Sequence, residues 1–151
     1  MTSYRPMISL DLPVIVGMER EIYQSDAWSV GQFKEELGNV PKNRLYVAAV
    51  HESGQIIGYA GIFTPDIGLE ADVLTLTVSP NHRRHGVGRA LLKELISWAI
   101  ERSAPAIYLE VREGNKEASP LYLSEGFQPI SRRSNYYSLG VDAVVMKKAL
   151  Q

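Results

Sequence analysis

Apolar and polar positions change period several times along the chain, and each change marks an element. Arg44–Val50 (RLYVAAV), Ile56–Phe63 (IIGYAGIF) and Val73–Val78 (VLTLTV) are short runs rich in β-branched and apolar residues, which predicts three strands. Glu52-Ser53-Gly54 supplies a hairpin turn between the first two. From Gly86 to about Arg102 the period becomes three and four: Val87, Leu91, Leu95 and Trp98 share a stripe, as in an amphipathic helix. Alternation returns at Ala106–Val111 (AIYLEV), where Ile107, Leu109 and Val111 take one face of a strand and Tyr108 and Glu110 the other.

The flanks complete the pattern. Tyr4–Ser9 reads as a short edge strand, and Asp11 as the cap of a helix running toward Ser25. Ser29 with Gln32 three residues on matches a capping box for a helix ending near Gly38. A short helix is expected between Asn115 and Ser124, then a strand opened by Gly126 and Phe127, then a last strand at Asp142–Lys148. The order is β-α-α-β-β-β-α-β-α-β-β. Its β-α-β segment, Val73–Val111, predicts a right-handed parallel crossover, and the rest pairs mostly antiparallel. The expected fold class is therefore α/β: a mixed sheet with helices on both faces. No repeat or Pro/Gly/Ser linker interrupts it, so residues 1–151 are read as one domain.

Composition narrows the function classes. With 16 basic and 17 acidic residues the net charge is −1, which argues against a broad nucleic-acid surface. There is no cysteine, which excludes disulfide and thiolate chemistry and favours a cytoplasmic location. The N-terminus MTSYRPMISL lacks a basic segment followed by an apolar run, and no apolar stretch approaches a membrane span. His51, His82 and His85 have no ligand spacing, so no metal is assigned.

One stretch breaks a local rule. In SPNHRRHGVGRALLKEL, Arg83, Arg84, His85 and Arg89 crowd the start of the predicted helix, where the backbone is already positive and acidic residues are favoured. Gly86 and Gly88 sit among them. Glycines there let a ligand approach the backbone, free N–H groups bind an anion, and arginines add charge-assisted contacts to phosphate. The loop is neither a Walker A nor a dinucleotide loop, because it lacks GxxxxGK[ST] and Leu91 stands where GxGxxG or GxGxxA needs a small residue. The plain alternative is a solvated basic turn.

TVSPNHRRHGVGRA resembles the acetyl-CoA loop of the GNAT acetyltransferase superfamily, [RQ]xxGxG[RA] after a strand ending in V-x-P. The resemblance implies the GNAT fold: a mostly antiparallel sheet with a splayed parallel strand pair, the strand before the loop bulged, and acetyl-CoA as cosubstrate. Leu76, Thr77 and Val78 would offer backbone to the pantetheine arm. Arg83, Arg84, His85, Gly86, Val87, Gly88 and Arg89 would surround the pyrophosphate. LEVREGNKEASPLYLSEGF and RRSNYYSLGVDAVVMKK are further similar to bacterial ribosomal-protein alanine N-acetyltransferases. That likeness implies a protein N-terminus, that of a ribosomal protein, as the partner; charge and the lack of an apolar span leave direct nucleic-acid and membrane contacts unexpected. The sequence sets no oligomeric state.

Acetyl transfer to an amine needs a base and an acid. An α-amine has a pKa near ~7.7–8.0 and is mostly protonated at neutral pH. Glu110, a carboxylate in mid-strand, is the base candidate, and the resemblance assigns it that role. The alternative is an ion pair with Arg112 or a neighbour. Glu70 and Asp72, just before and on the preceding strand, are rivals. Tyr122 is the acid candidate for the departing thiolate, its alternative being a packed tyrosine between helix and sheet. Asn115, seven residues earlier, matches the family's cofactor-contacting Asn and also suits a helix cap. Pro120 departs from the family. Ser119 as N-cap with Pro120 at the first helical position fits its chemistry. Tyr136 and Tyr137 would line the peptide side. Two competing readings stand: a GNAT enzyme acting on a small-molecule amine or a lysine, and a non-catalytic acyl-CoA-binding module.

Overall fold

The computed structural model describes residues 1–150. Seven strands, β1 (Ser3–Pro6), β2 (Arg44–Val50), β3 (Ile56–Phe63), β4 (Ala71–Val78), β5 (Ala106–Arg112), β6 (Gln128–Tyr137) and β7 (Val141–Ala149), form one sheet in the order β1-β2-β3-β4-β5-β7-β6. Every pairing is antiparallel except β4 with β5. Four α-helices flank it: α1 (Leu12–Tyr23), α2 (Val30–Leu37), α3 (Val87–Glu101) and α4 (Ala118–Ser124). The element order is the expected one. No helix among the described residues is long and apolar enough to cross a membrane.

Two buried clusters cover the two faces of the sheet. Leu12, Ile15 and Val16 of α1 and Phe33 of α2 pack with Tyr46, Ile56 and Tyr59. On the opposite face Val87, Leu91, Leu92, Leu95 and Ala99 of α3 meet Ile107, Leu109 and Val111 of β5, and Tyr122 of α4 joins them. Each fully buried Leu or Ile contributes roughly 1.5–3 kcal/mol of transfer free energy. The alternation of β5 thus decides its two roles: one face closes the core, and the other is left for Tyr108, Glu110 and Arg112, all half-buried.

Local signals hold with two adjustments. The Ser29–Gln32 capping box forms, with Gln32 N–H donating to Ser29 Oγ at 3.2 Å and Ser29 N–H to Gln32 Oε1 at 2.8 Å. Asp11 does stand before α1, but its carboxylate makes no cap. It accepts two bonds from the Arg5 guanidinium at 2.8 Å and one from Ile8 N–H at 2.9 Å. A fork-shaped cation outcompetes backbone N–H groups for a carboxylate. The first strand ends at Pro6 rather than Ser9, because Ser9–Asp11 wind into a 3₁₀ turn.

Candidate active site

The site lies where β4 and β5 part. Their parallel pairing joins only Ala71 to Ile107 and Asp72 to Tyr108. Beyond it β4 bends: its register with β3 slips between Thr75 and Val73, so Leu74 is the extra residue of a bulge. The free edges of Leu76–Val78 and of Glu110–Arg112 face each other across a wedge. Two cavities open at it, one of about 860 Å³ and one of about 200 Å³. Tyr23, Asp26, Leu76, Arg112, Asn115, Ala118 and Tyr122 line both.

The larger cavity gathers most of the expected cofactor residues: Leu76, Thr77, Val78, Arg83, Arg84, Gly86, Gly88, Arg89 and Asn115. Gly86, at φ +82°, is the N-cap of α3, and having no side chain it leaves the first N–H groups of the helix without a side-chain acceptor. Gly88 keeps a close approach open, since a Cβ there would lie 3.3 Å from Leu121 Cδ2 and 3.7 Å from Val78 Cγ2. Two loop residues stand apart from the cavity. His85 is exposed, and the Val87 side chain is buried in the core under α3. Two arginines already have partners. Arg83 donates from Nε to Val78 O at 3.1 Å and pairs with Glu117 at 3.4 Å, and Arg89 pairs with Glu125 and donates to Ser124 Oγ.

The helix after β5 starts two residues earlier than expected, with Glu117 rather than Ser119 at the N-cap position. Asn115 stands just before it, and its Oδ1 accepts from Glu117 N–H at 3.1 Å and Ala118 N–H at 2.9 Å. Pro120 is the third helical residue, where its missing N–H falls among those that have no partner within a helix. The proline therefore leaves Asn115 at the cavity wall. Tyr122, two turns on, is 6% exposed, its ring T-stacked on Phe127 with centroids 5.9 Å apart. Burial first, and then the nearby Tyr23 and Tyr137 hydroxyls, push the Tyr122 phenol well above its ordinary pKa. It stays a donor.

The smaller cavity holds Glu110 and Tyr137. Glu110 does pair with a neighbour, Arg133, through Oε1 at 3.0 Å, but its Oε2 is buried and makes no hydrogen bond. Arg112 pairs with Asp26 instead. Tyr136 and Tyr137 are T-stacked, with ring centroids 5.0 Å apart, but only Tyr137 lines a cavity. Tyr137 lies under the Arg112 guanidinium, 4.6 Å from its centroid, and burial raises its phenol to about 12. Tyr136 lines neither cavity and stands half-exposed beside Arg133. Glu70, hydrogen-bonded to the Tyr108 hydroxyl at 2.9 Å, and Asp72 occupy the paired end of the strands and line neither cavity. Desolvation, then Glu110 and Glu70, hold the Asp72 carboxyl above its usual range. Among the described residues no group of His, Cys, Asp or Glu is arranged to hold a metal ion.

Three residues of this wall escaped the sequence reading. Glu19 is 2% exposed and accepts from Tyr59 hydroxyl at 2.8 Å and Trp28 N–H at 2.9 Å. Its signal was available, for it continues the apolar stripe Leu12, Ile15, Val16 at helical spacing. Tyr23, one turn further, places its hydroxyl 2.7 Å from Thr77 Oγ1 on the bulged strand. Asp26 sits in an irregular turn with no periodic signal.

Similarity to known proteins agrees with this geometry. The model of the Acetyltransferase (GNAT) family matches residues 13–127. The N-alpha-acetyltransferase RimI of Mycobacterium tuberculosis is 40% identical over 128 residues, covering 82% of this chain and 76% of that protein. The [ribosomal protein bS18]-alanine N-acetyltransferase of Escherichia coli is 30% identical over 97% of this chain and 96% of its own length. The crystal structure of the Escherichia coli ribosomal-protein-S18-alanine N-acetyltransferase superposes with a TM-score of 0.82 at 29% identity, covering 100% of this chain and 95% of that one. An uncharacterized protein of Mycobacterium leprae is 35% identical over 97% of this chain, which spans 44% of that longer protein. The splayed strands, the uncapped glycine loop and these relatives converge: the chain belongs to the GNAT family of N-acetyltransferases.

Proposed function

We propose that this enzyme transfers the acetyl group of acetyl-CoA to the N-terminal α-amine of a protein, an alanine at the start of a small-subunit ribosomal protein, with Glu110 as base and Tyr122 as acid. The observation that carries the reading is the wedge itself. Two cavities share Tyr122, one walled by a phosphate-type loop and the other lined by Glu110, whose Oε2 has no hydrogen-bond partner.

The residues of the larger cavity suit acetyl-CoA. The uncapped N–H groups of α3 and the arginines beside them favour the pyrophosphate, and the unpaired edge of Leu76–Val78 offers main-chain partners to an amide-bearing arm. When bound, acetyl-CoA supplies an activated acyl group. Glu110 Oε2 takes a proton from the incoming ammonium, directly or through one water. The free amine attacks the thioester carbon, the C–N bond forms, the C–S bond breaks with its electron pair leaving on sulfur, and the nitrogen releases its second proton to solvent to give the neutral amide. Tyr122 donates its hydrogen to that sulfur. A buried tyrosinate is costly, so Tyr122 acts chiefly as a hydrogen-bond donor and solvent completes the protonation.

An N-terminal acceptor is favoured by the pKa of an α-amine, which is nearer neutrality than the ~10.4 of lysine. The relatives named above point the same way. Turnover of three substrates tests the reading: a peptide beginning with alanine, the same peptide blocked at its N-terminus but carrying a lysine, and a polyamine. The first should have the highest kcat/KM. Faster turnover of either of the others overturns the N-terminal acceptor and leaves the family assignment intact.

A further inference from the structure

Asp26 lies in the turn between α1 and α2 and ties three elements together. Its Oδ1 accepts from the Ser138 hydroxyl at 2.7 Å and from Ser138 N–H at 3.1 Å. Its Oδ2 accepts from Arg112 Nη2 at 2.9 Å. Ser138 opens the turn joining β6 to β7, and Arg112 ends β5 with its guanidinium over Tyr137. The next residue, Leu139, is 99% exposed and holds φ +65°, a conformation that side-chain-bearing residues adopt at a cost. Asp26 also lines both cavities. The carboxylate is thus a strap across the junction of the two cavities, joining turns 112 residues apart in sequence.

We propose that Asp26 is a positioning residue that sets the width of the acceptor passage, so that the enzyme admits an amine carried on a small first residue and rejects bulky ones. The proposal rests on the N-terminal reading above. With the strap in place, the β6–β7 turn is held down and Arg112 keeps Tyr137 against the cavity wall. With it released, both the roof and the wall gain room. A mere fold staple would lower stability and scale every acceptor alike. A passage-setting strap changes their ranking.

The test uses the full chain and peptides identical except for a first residue of alanine, valine or leucine. Asp26→Asn should raise KM for the alanine peptide about tenfold, the size of one charge-assisted hydrogen bond, with a smaller effect on kcat. The leucine-to-alanine ratio of kcat/KM should rise by a similar factor. Ser138→Ala keeps the main-chain arm and should shift the ratio less, in the same direction. If Asp26→Asn does not fold, Ser138→Ala carries the comparison. An unchanged ratio in the folded variants, or equal losses on all peptides, overturns the proposal. Should the native enzyme act only on the polyamine, the N-terminal reading falls, and linear against branched amines judge the strap in the same two variants.

Discussion

Arg133 holds one oxygen of Glu110 and leaves the other idle: Nη1 stands 3.0 Å from Oε1, while Oε2 is buried at the smaller cavity with no hydrogen bond. A buried acceptor without a partner costs on the order of 1–3 kcal/mol, and such sites in native folds call for a ligand or a chemical role. The ion pair fixes the orientation of the carboxylate.

Replacing Glu110 with Gln keeps the shape and removes the base. Turnover of an N-terminal peptide at pH 7 should fall about 10²-fold or more, the usual share of general-base catalysis. The loss should shrink near pH 9, where the amine deprotonates unaided. Steady-state rates across pH decide it, and near-native turnover at pH 7 would move the base to Glu70 or Asp72.

Tyr122→Phe preserves the ring that packs on Phe127 and deletes the hydroxyl alone. We expect kcat to drop by about 10²-fold with acetyl-CoA affinity and melting temperature nearly unchanged. The raised pKa of the native phenol adds a sign. Tyr122 remains protonated well above pH 10, so it should contribute no alkaline loss of activity below that point. A tyrosinate signal at pH 9 with Tyr122 as its source would contradict this.

A branched side chain at Gly88 meets Leu121 and Val78 and projects toward the cavity. Gly88→Val should weaken CoA binding by at least about tenfold, or 1.4 kcal/mol, in a protein that still folds. Calorimetric titration gives the answer, and unchanged affinity would remove the loop from the cofactor site.

Glu19 gives a stability prediction with a defined pH slope. Burial raises its carboxyl above 4.5, against the pull of the Trp28 and Tyr59 hydrogen bonds. The folded state therefore binds this proton more readily than the unfolded one. The contribution of Glu19 to stability is greatest below the unfolded pKa and declines as pH rises through 4.5 and the higher folded value. Glu19→Gln should flatten that slope. Glu19→Ala should cost about 2–4 kcal/mol at the acid end and less as pH rises, because it leaves the Tyr59 hydroxyl and Trp28 N–H without their partner. Melting temperatures of the three proteins from pH 4 to pH 8 test both statements.

The lining of the larger cavity was mostly legible from the chain. Gly86, Gly88 and the arginines fall within residues 83–89, and the constraint they answer, a left-handed N-cap opening α3, is local. The lining of the smaller cavity was legible only in part. Glu110 drew notice because a carboxylate stands in the middle of a strand of a covered sheet. Tyr136 and Tyr137 looked equivalent, yet they are adjacent residues at the end of β6, and only Tyr137 lines the cavity. Glu19 hid inside an apolar stripe, and Asp26 in a turn without periodicity.

Periodicity along the chain determined the elements, their order and which face of β5 would be buried, because side-chain direction in a helix or strand follows from backbone geometry alone. Folding decided which charges meet. Arg133 takes Glu110 and Arg112 takes Asp26 because β7 lies between β5 and β6 and the α1–α2 turn reaches the β6–β7 turn. Those partners are distant in sequence, and an exposed Arg or Asp carries no mark of the one it will find. The wedge is likewise a tertiary product. It opens because a bulge bends β4 away from a parallel neighbour to which only two residue pairs bind it.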